Sequence, residues 1–394
     1  MNLILFDTQV IHQLLPFTHT RPIADIRCGI LTMRGRWELY LQAVSSTVSV
    51  TPLQEVFPVN YTEDNLYVNA QVFATPALGI VISNLNPGQA LIQDETIIAL
   101  RSAAQLDFEQ INKASLKDFE PVLFGEPFTQ LQNAWDIFSL NDYAIRADFA
   151  ILTHQKTAQP IPEEVTLIGK AEDVFIEAGA VVSASILNAK TGPIYIAKDA
   201  EIMEGCMLRG PLALGEHAVI KMGAKIYGAT TIGAGSKVGG EISNTVFFDN
   251  ANKGHDGFVG NAVIGEWCNL GADTNSSNLK NNYDEVSIWS EYEDKMVKTG
   301  LQFCGLLMGD HSKCGINTMF NTGTVVGVSC NIYGGDFPDK YIPSFSWGGK
   351  NDTVTYRFDK AIDTANRMMA RRGKSLSVAE TTLLKYIFDN KKTL

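Results

Sequence analysis

Aliphatic residues recur at every sixth position from Ile196: Ile202, Leu208, Leu214, Ile220, Ile226, Ile232 and Val238. Four places after each aliphatic residue stand Ala200, Cys206, Leu212, Ala218, Ala224, Thr230 and Ser236, all small except Leu212. Neither an amphipathic helix of period 3.6 nor a strand of period 2 gives this pattern. A period of six arises when the chain winds into a triangular prism, with one short strand per face and three hexads per coil. The aliphatic side chain then points inward and stacks on its equivalents, while the small residue fills the corner. Gly215, Gly223, Gly233 and Gly235 fall where the turns call for positive φ.

The register then shifts. Phe258, Ile264 and Leu270 form a second series, and Met308, Cys314, Phe320, Val326 and Ile332 a third. Two interruptions, roughly 239–257 and 275–307, separate the series. A filled prism accommodates extra residues only by looping them outward, so both are expected to be external loops and good places for a site. Around the prism, residues 1–155 mix short β-rich runs with helical stretches and form an expected first domain. The prism is expected over 160–340 and a helical tail over 355–394. In the tail, Phe358, Ile362, Ala365 and Met369 share a helical face, and Ser377 with Glu380 makes a capping box for a second helix.

The net charge of −11 argues against a non-specific nucleic-acid binder, which needs a basic face. No apolar run reaches the ~18 residues of a membrane-spanning helix, and the first residues lack a basic, cleavable leader. A cytoplasmic location is therefore expected. Six scattered cysteines without a CxxC pair read as small buried side chains rather than zinc ligands or disulfides. His217, His255 and His311 lack the paired spacing of a zinc site.

The segment Asn252-Lys253-Gly254-His255-Asp256-Gly257-Phe258-Val259-Gly260 continues through Ile264-Gly265, Asn269-Leu270-Gly271-Ala272 and Asn278 to Tyr283. It resembles the acetyltransferase half of the bifunctional GlmU family, which makes UDP-N-acetylglucosamine. The densest likeness covers about 240–283. This resemblance implies a left-handed coil, acetyl-CoA as acyl donor and a homotrimer with sites between subunits. By ungapped spacing from His255 it places Asn269, Ala272 and Asn278 on matching positions. The family's phosphate-gripping Arg, Lys and Tyr fall here on Lys225, Ser243 and Phe258.

The chemistry supports those roles. An attacking sugar amine must shed a proton, and an imidazole titrates in the right range. A developing oxyanion wants a fixed N–H donor. His255 is therefore expected as general base and the Ala272 amide as oxyanion donor. Asn269 and Asn278 are expected to orient sugar and thioester, with Asn278 and Ala272 also touching the cofactor. Lys225 and Lys253 are expected to hold the sugar phosphate, and Glu241 to bind elsewhere on the substrate. The basic run Arg371-Arg372-Gly373-Lys374 is expected to meet coenzyme A phosphates, with Arg371 and Arg372 as the contacts; a solvated helix end is the other reading.

The stretch Leu14–Thr32, containing Arg21-Pro22 and Arg27-Cys28-Gly29, resembles the start of sugar nucleotidyltransferases, as does Asn65-Leu66-Tyr67-Val68-Asn69-Ala70. The nearest likeness is a shortened GlmU-like family of bacteria. It implies an α/β nucleotidyltransferase-like domain that couples a sugar 1-phosphate to an NTP with Mg²⁺. Yet no glycine-rich phosphate loop follows Asp7, and Asn69 stands where a metal-binding aspartate is usual. Arg21 and Arg27 are the expected phosphate contacts, with Arg34 and Arg36 as further cations. The resulting expectation is acetyl transfer to an amino-sugar phosphate, glucosamine 1-phosphate foremost, coupled to nucleotidyl transfer. Two alternatives stay open: a nucleotidyltransferase whose β-helix only oligomerises it, and a non-catalytic sugar-nucleotide-binding regulator.

Overall fold

The computed structural model describes residues 2–113 and 118–391. Met1 and residues 392–394, the outer ends of the expected first domain and tail, lie outside the described residues. The chain divides into two compact units, Met1–Ile26 with Leu31–Ala134, and Arg27–Ile30 with Trp135–Leu394.

The first unit is built on a mixed sheet in the order β2-β1-β3-β5-β4-β6, with β1 Asn2–Phe6, β2 Ser45–Val48, β3 Asn65–Asn69, β4 Gln89–Gln93, β5 Thr96–Ser102 and β6 Glu120–Leu123. β1 pairs in parallel with both β2 and β3, and its run Leu3-Ile4-Leu5-Phe6 is buried, as a strand covered on both faces requires. The helix Met33–Leu41 starts at Thr32, whose hydroxyl accepts the Gly35 N–H. It sets Trp37 into the core, where the indole donates to the Val72 carbonyl at 2.9 Å. Where a glycine-rich loop would cradle phosphates, the chain after β1 instead makes three short 3₁₀ turns, Gln9–Leu14, Phe17–His19 and Ile23–Asp25.

The second unit is a left-handed β-helix whose strands lie in three parallel sheets. Its first face runs from Thr166–Ile168 to Met319–Phe320, its second from Val174–Ile176 to Tyr341–Ile342, and its third from Val181–Val182 to Ser346–Gly348. Every residue of the expected aliphatic series from Ile196 to Val238 is fully buried in one continuous core. The helix Asn141–Thr153 packs on this coil, with Ile145 against Ala213 and Ala229. By compactness residues 135–153, part of the expected first domain 1–155, group with the second unit. Their apolar face matches a solenoid wall, which composition alone does not reveal.

The interruption at 239–257 is not an outward loop. The chain stays in the coil through Glu241–Ser243, Val246–Phe247 and Asn252–Lys253. Ladder partners Ile220 and Val238 are eighteen residues apart, but Val238 and Lys253 only fifteen. Shortened corners, not an insertion, break the period. The later interruption does loop out: a hairpin, Ser287–Ser290 with Lys295–Lys298, leaves the coil after Ser276 and returns at Leu307. Its two ends meet where Cys304 N–H donates to Asn278 at 2.9 Å and Gly305 N–H to Asn261 at 2.8 Å. Trp289 stacks on Tyr341 with ring centres 5.3 Å apart. After the last rung, helices Phe358–Ala370 and Val378–Asn390 follow, and the turn between them reaches back along the corner between the second and third faces, where Arg372 meets Asn250. Phe345 packs there against Phe358 and Phe388, and the Ser377–Glu380 capping box forms as expected. Among the described residues no helix is long and apolar enough to cross a membrane.

Candidate active site

The corner joining the third face to the first carries an open cleft of about 670 Å³, lined by Met203, Lys221, Met222, Gly239, Gly240, Gly254, His255, Asp256, Ala272 and Asp273. It brings together two of the sequence-expected residues. His255 is exposed on one rung and Ala272 half-buried on the next. The rungs are tied by the Asp273 N–H donating to the Asp256 carbonyl at 3.0 Å, so the two turns sit one strand spacing apart, about 4.8 Å. Gly257 makes this stacking possible. Its φ is +110°, and a Cβ there would lie 2.1 Å from the Thr274 carbonyl.

The other expected residues scatter. Asn269 lies on the third face, where its Oδ1 accepts from Asn252 at 2.7 Å. Asn278 lies across the first face, at the corner leading to the second, where its amide donates to Asn261 at 2.8 Å. Between these corners the first face carries Lys225 and Glu241, 3.9 Å apart, and Tyr227, whose hydroxyl donates to Glu241 at 2.6 Å. That bond to a carboxylate pushes the Tyr227 phenol up to about 12.

Several expected phosphate contacts are spent elsewhere. Lys253 is 1% exposed and points into the coil; its ammonium donates to the carbonyls of Gly239, His255 and Asp256. It cannot reach a ligand in the cleft. Arg27 forks onto Asp249 at 3.1 and 3.3 Å and donates to the Ile30 carbonyl. Arg372 donates to Asn250 at 2.9 Å and to the Gly235 carbonyl, with Trp267 beneath it. This fixes Arg372 at the corner between the second and third faces, away from His255, and leaves Arg371 exposed beside it. Arg34 chelates Asp25, and buried Arg36 lies 4.9 Å over the Phe73 ring. Arg21 is buried at 7% exposure.

Lys221, Asp256 and Asp273 were missed in the sequence. The signal was present: Met203, Lys221 and Gly239 each follow an inward aliphatic residue of the third face, so the period predicts that they share a corner.

At the carboxyl ends of the parallel strands of the first unit stand Asp7, Ser49 and Asn69, where open α/β sheets take their ligands. Asp7 is fully buried. Its carboxyl accepts from Ile23 N–H at 2.9 Å and Ser49 O–H at 2.6 Å. Burial outweighs those bonds and pushes the carboxyl up to about 7. The Asn69 amide donates to the Ile97 carbonyl and accepts from Gln71 N–H. Among the described residues no three His, Cys, Asp or Glu side chains gather to hold a metal. A buried, doubly bonded carboxyl and an engaged, uncharged amide do not fit Mg²⁺, so no step is routed through one.

Residues 3–157 match the family model for sugar nucleotidyl transferase. A stretch of 117 residues, 30% of this chain, is 31% identical to the bifunctional protein GlmU of Methanocaldococcus jannaschii and covers 28% of that protein. Over 325 residues the chain is 23% identical to the bifunctional protein GlmU of Synechococcus elongatus, covering 79% of this chain and 65% of that one. The chain thus spans about a third or less of the first of these relatives. A crystal structure of the polySia-specific acetyltransferase NeuO shares 13% identity, covering 54% of this chain and 98% of its own, at a TM-score of 0.30.

Proposed function

We propose that this chain is GlmU-like and that its β-helix, at the corner cleft, transfers an acetyl group from acetyl-CoA to the amine of an amino-sugar phosphate, glucosamine 1-phosphate foremost. The observation that carries this reading is the pairing of exposed His255 with Ala272 on adjacent rungs of one cleft. The sugar amine attacks the thioester carbonyl, forming a C–N bond, and His255 takes the proton it releases. The oxyanion accepts the Ala272 N–H, which a stiff coil presents at little reorganisation cost. Collapse breaks the C–S bond, and the imidazolium returns its proton to the departing thiolate. Lys221, the lysine that lines the cleft, takes the sugar phosphate in place of Lys253. Asp256 and Asp273 draw the amine end of the acceptor. A homotrimer with clefts between protomers is part of the same proposal.

The test is thiol release from acetyl-CoA with glucosamine 1-phosphate. His255→Ala should lower kcat by about 10²- to 10⁴-fold, the range of general-base catalysis. An undiminished rate removes His255 from the mechanism. Lys221→Ala should raise KM for the sugar phosphate and leave that for acetyl-CoA in place.

The family match over 3–157 favours a second activity in the first unit, coupling of the N-acetylated sugar phosphate to an NTP. Pyrophosphate release with each NTP tests it. No release with any NTP, with or without a divalent cation, would remove the second activity.

A further inference from the structure

The third face stacks an inward column of Val182, Ile202, Ile220 and Val238, followed on the next rung by Lys253 and then, one rung on, by Leu270. A lysine in such a column is costly unless every proton of its ammonium finds an acceptor. Here three protons meet three carbonyls: His255 at 2.9 Å, Asp256 at 3.2 Å and Gly239 at 3.3 Å. The reason lies in the shortened coil. Four residues turn the corner between Ile220 and Lys225, but only Gly239 and Gly240 do so between Val238 and Glu241. The tight corner and the His255 turn stacked on it leave carbonyls facing the interior, where an aliphatic side chain would strand them.

We propose that Lys253 is a positioning residue whose buried ammonium, by holding the carbonyls of Gly239, His255 and Asp256, locks the turn that presents the His255 imidazole to the cleft. Two of its three bonds end on the carbonyls of His255 and of the residue after it, so the lysine sets the direction in which the ring leaves the backbone without touching substrate. Burial opposes the ammonium's charge and brings its pKa down to about 8, while Asp256 and Asp273 favour it. The inference rests on the acetyl-transfer reading for its kinetic consequence, but not for its geometry.

The test uses the full chain with ¹³Cε1-labelled histidine, the His255 signal being assigned by its loss in His255→Ala. Lys253→Met should retain a cooperative thermal transition. Its His255 signal should broaden or split while the other five histidine signals stay in place. Its kcat for thiol release should fall at least tenfold with KM for acetyl-CoA within twofold. Ile220→Ala, in the same column two rungs away, should lose thermal stability without moving the His255 signal. Should Lys253→Met not fold, Lys253→Gln, whose amide can donate to only two of the three carbonyls, takes its place, and a sharp, unmoved His255 signal in that variant overturns the proposal. A sharp, unmoved His255 signal in folded Lys253→Met also overturns it, with acetyl transfer left intact. Thiol release indifferent to His255→Ala would instead end the acetyl-transfer reading, and the signal in Lys253→Met would still report on the lock.

Discussion

Replacing Asp7 by Asn should remove most of the pH dependence of stability at the centre of the first unit. Asp7 has no exposed surface and two donors, Ile23 N–H and Ser49 O–H. Its native carboxyl keeps a proton up to about pH 7, whereas the unfolded one releases it near the usual 3.8. Between those values the native state binds more protons, so stability falls as pH rises, then levels off above pH 7. At about 1.4 kcal/mol for each tenfold change in proton affinity, the whole fall is ~4 kcal/mol. About 3 kcal/mol of it lies between pH 5 and pH 8. Asparagine keeps the shape and one acceptor, and its amide can donate to the Ser49 hydroxyl, but it has no proton to lose. Hydrogen exchange followed by mass spectrometry on peptides spanning β1 and β3, corrected for intrinsic rates, reads the opening free energy directly. The wild type should lose ~3 kcal/mol of protection between pH 5 and 8 and Asp7→Asn less than about 1 kcal/mol. Equal slopes in the two proteins would refute the argument that burial holds this carboxyl protonated.

Other expectations follow from the solenoid. Gly257→Ala forces a side chain onto a φ of +110° and a Cβ against the Thr274 carbonyl; it should cost about 3 kcal/mol or more, lowering the solenoid's unfolding midpoint and thiol release together, and an unchanged midpoint would contradict the close stacking of those rungs. Arg372→Ala removes a bond to Asn250 and a contact over Trp267. It should cost about 2 kcal/mol in urea unfolding while KM for acetyl-CoA stays within twofold; a tenfold rise in that KM would return Arg372 to the cofactor. Phe345→Ala opens a void beneath the two terminal helices, where Phe345 is fully buried. It should destabilise the solenoid by about 3–5 kcal/mol and expose the peptides of Phe358–Ala370 to early proteolysis.

What the sequence makes legible here is whatever repeats. The sixes from Ile196 to Val238 specify the faces, the core and the corner spacing, because each inward residue must stack on the next. They cease to help where a corner loses residues. The fifteen-residue coil throws the count out of phase, so Lys253 reads as a loop lysine near a phosphate when it is an inward residue of the third face. Linear spacing likewise grouped His255 with Asn278, although a full strand of the first face lies between their corners. The arginines fail for another reason. A cation in a sequence carries no sign of its partner, and Asp249, Asn250 and Asp25 claim Arg27, Arg372 and Arg34 only once the chain is folded. In the first unit, the missing glycine loop was visible in the sequence, but the 3₁₀ turns that replace it, and the buried Asp7 that pins Ile23, were not.

The hairpin that leaves the coil after Ser276 begins and ends at neighbouring hydrogen bonds, and the ladder resumes directly from Val263 to Leu307 as though nothing intervened. Such an excursion is an appendage of the ladder, seated on it through buried Val286 and Ile288 and the stack of Trp289 on Tyr341. A different segment that kept those contacts would remodel the surface beside Asn278 while the rungs carrying His255 and Ala272 keep their spacing.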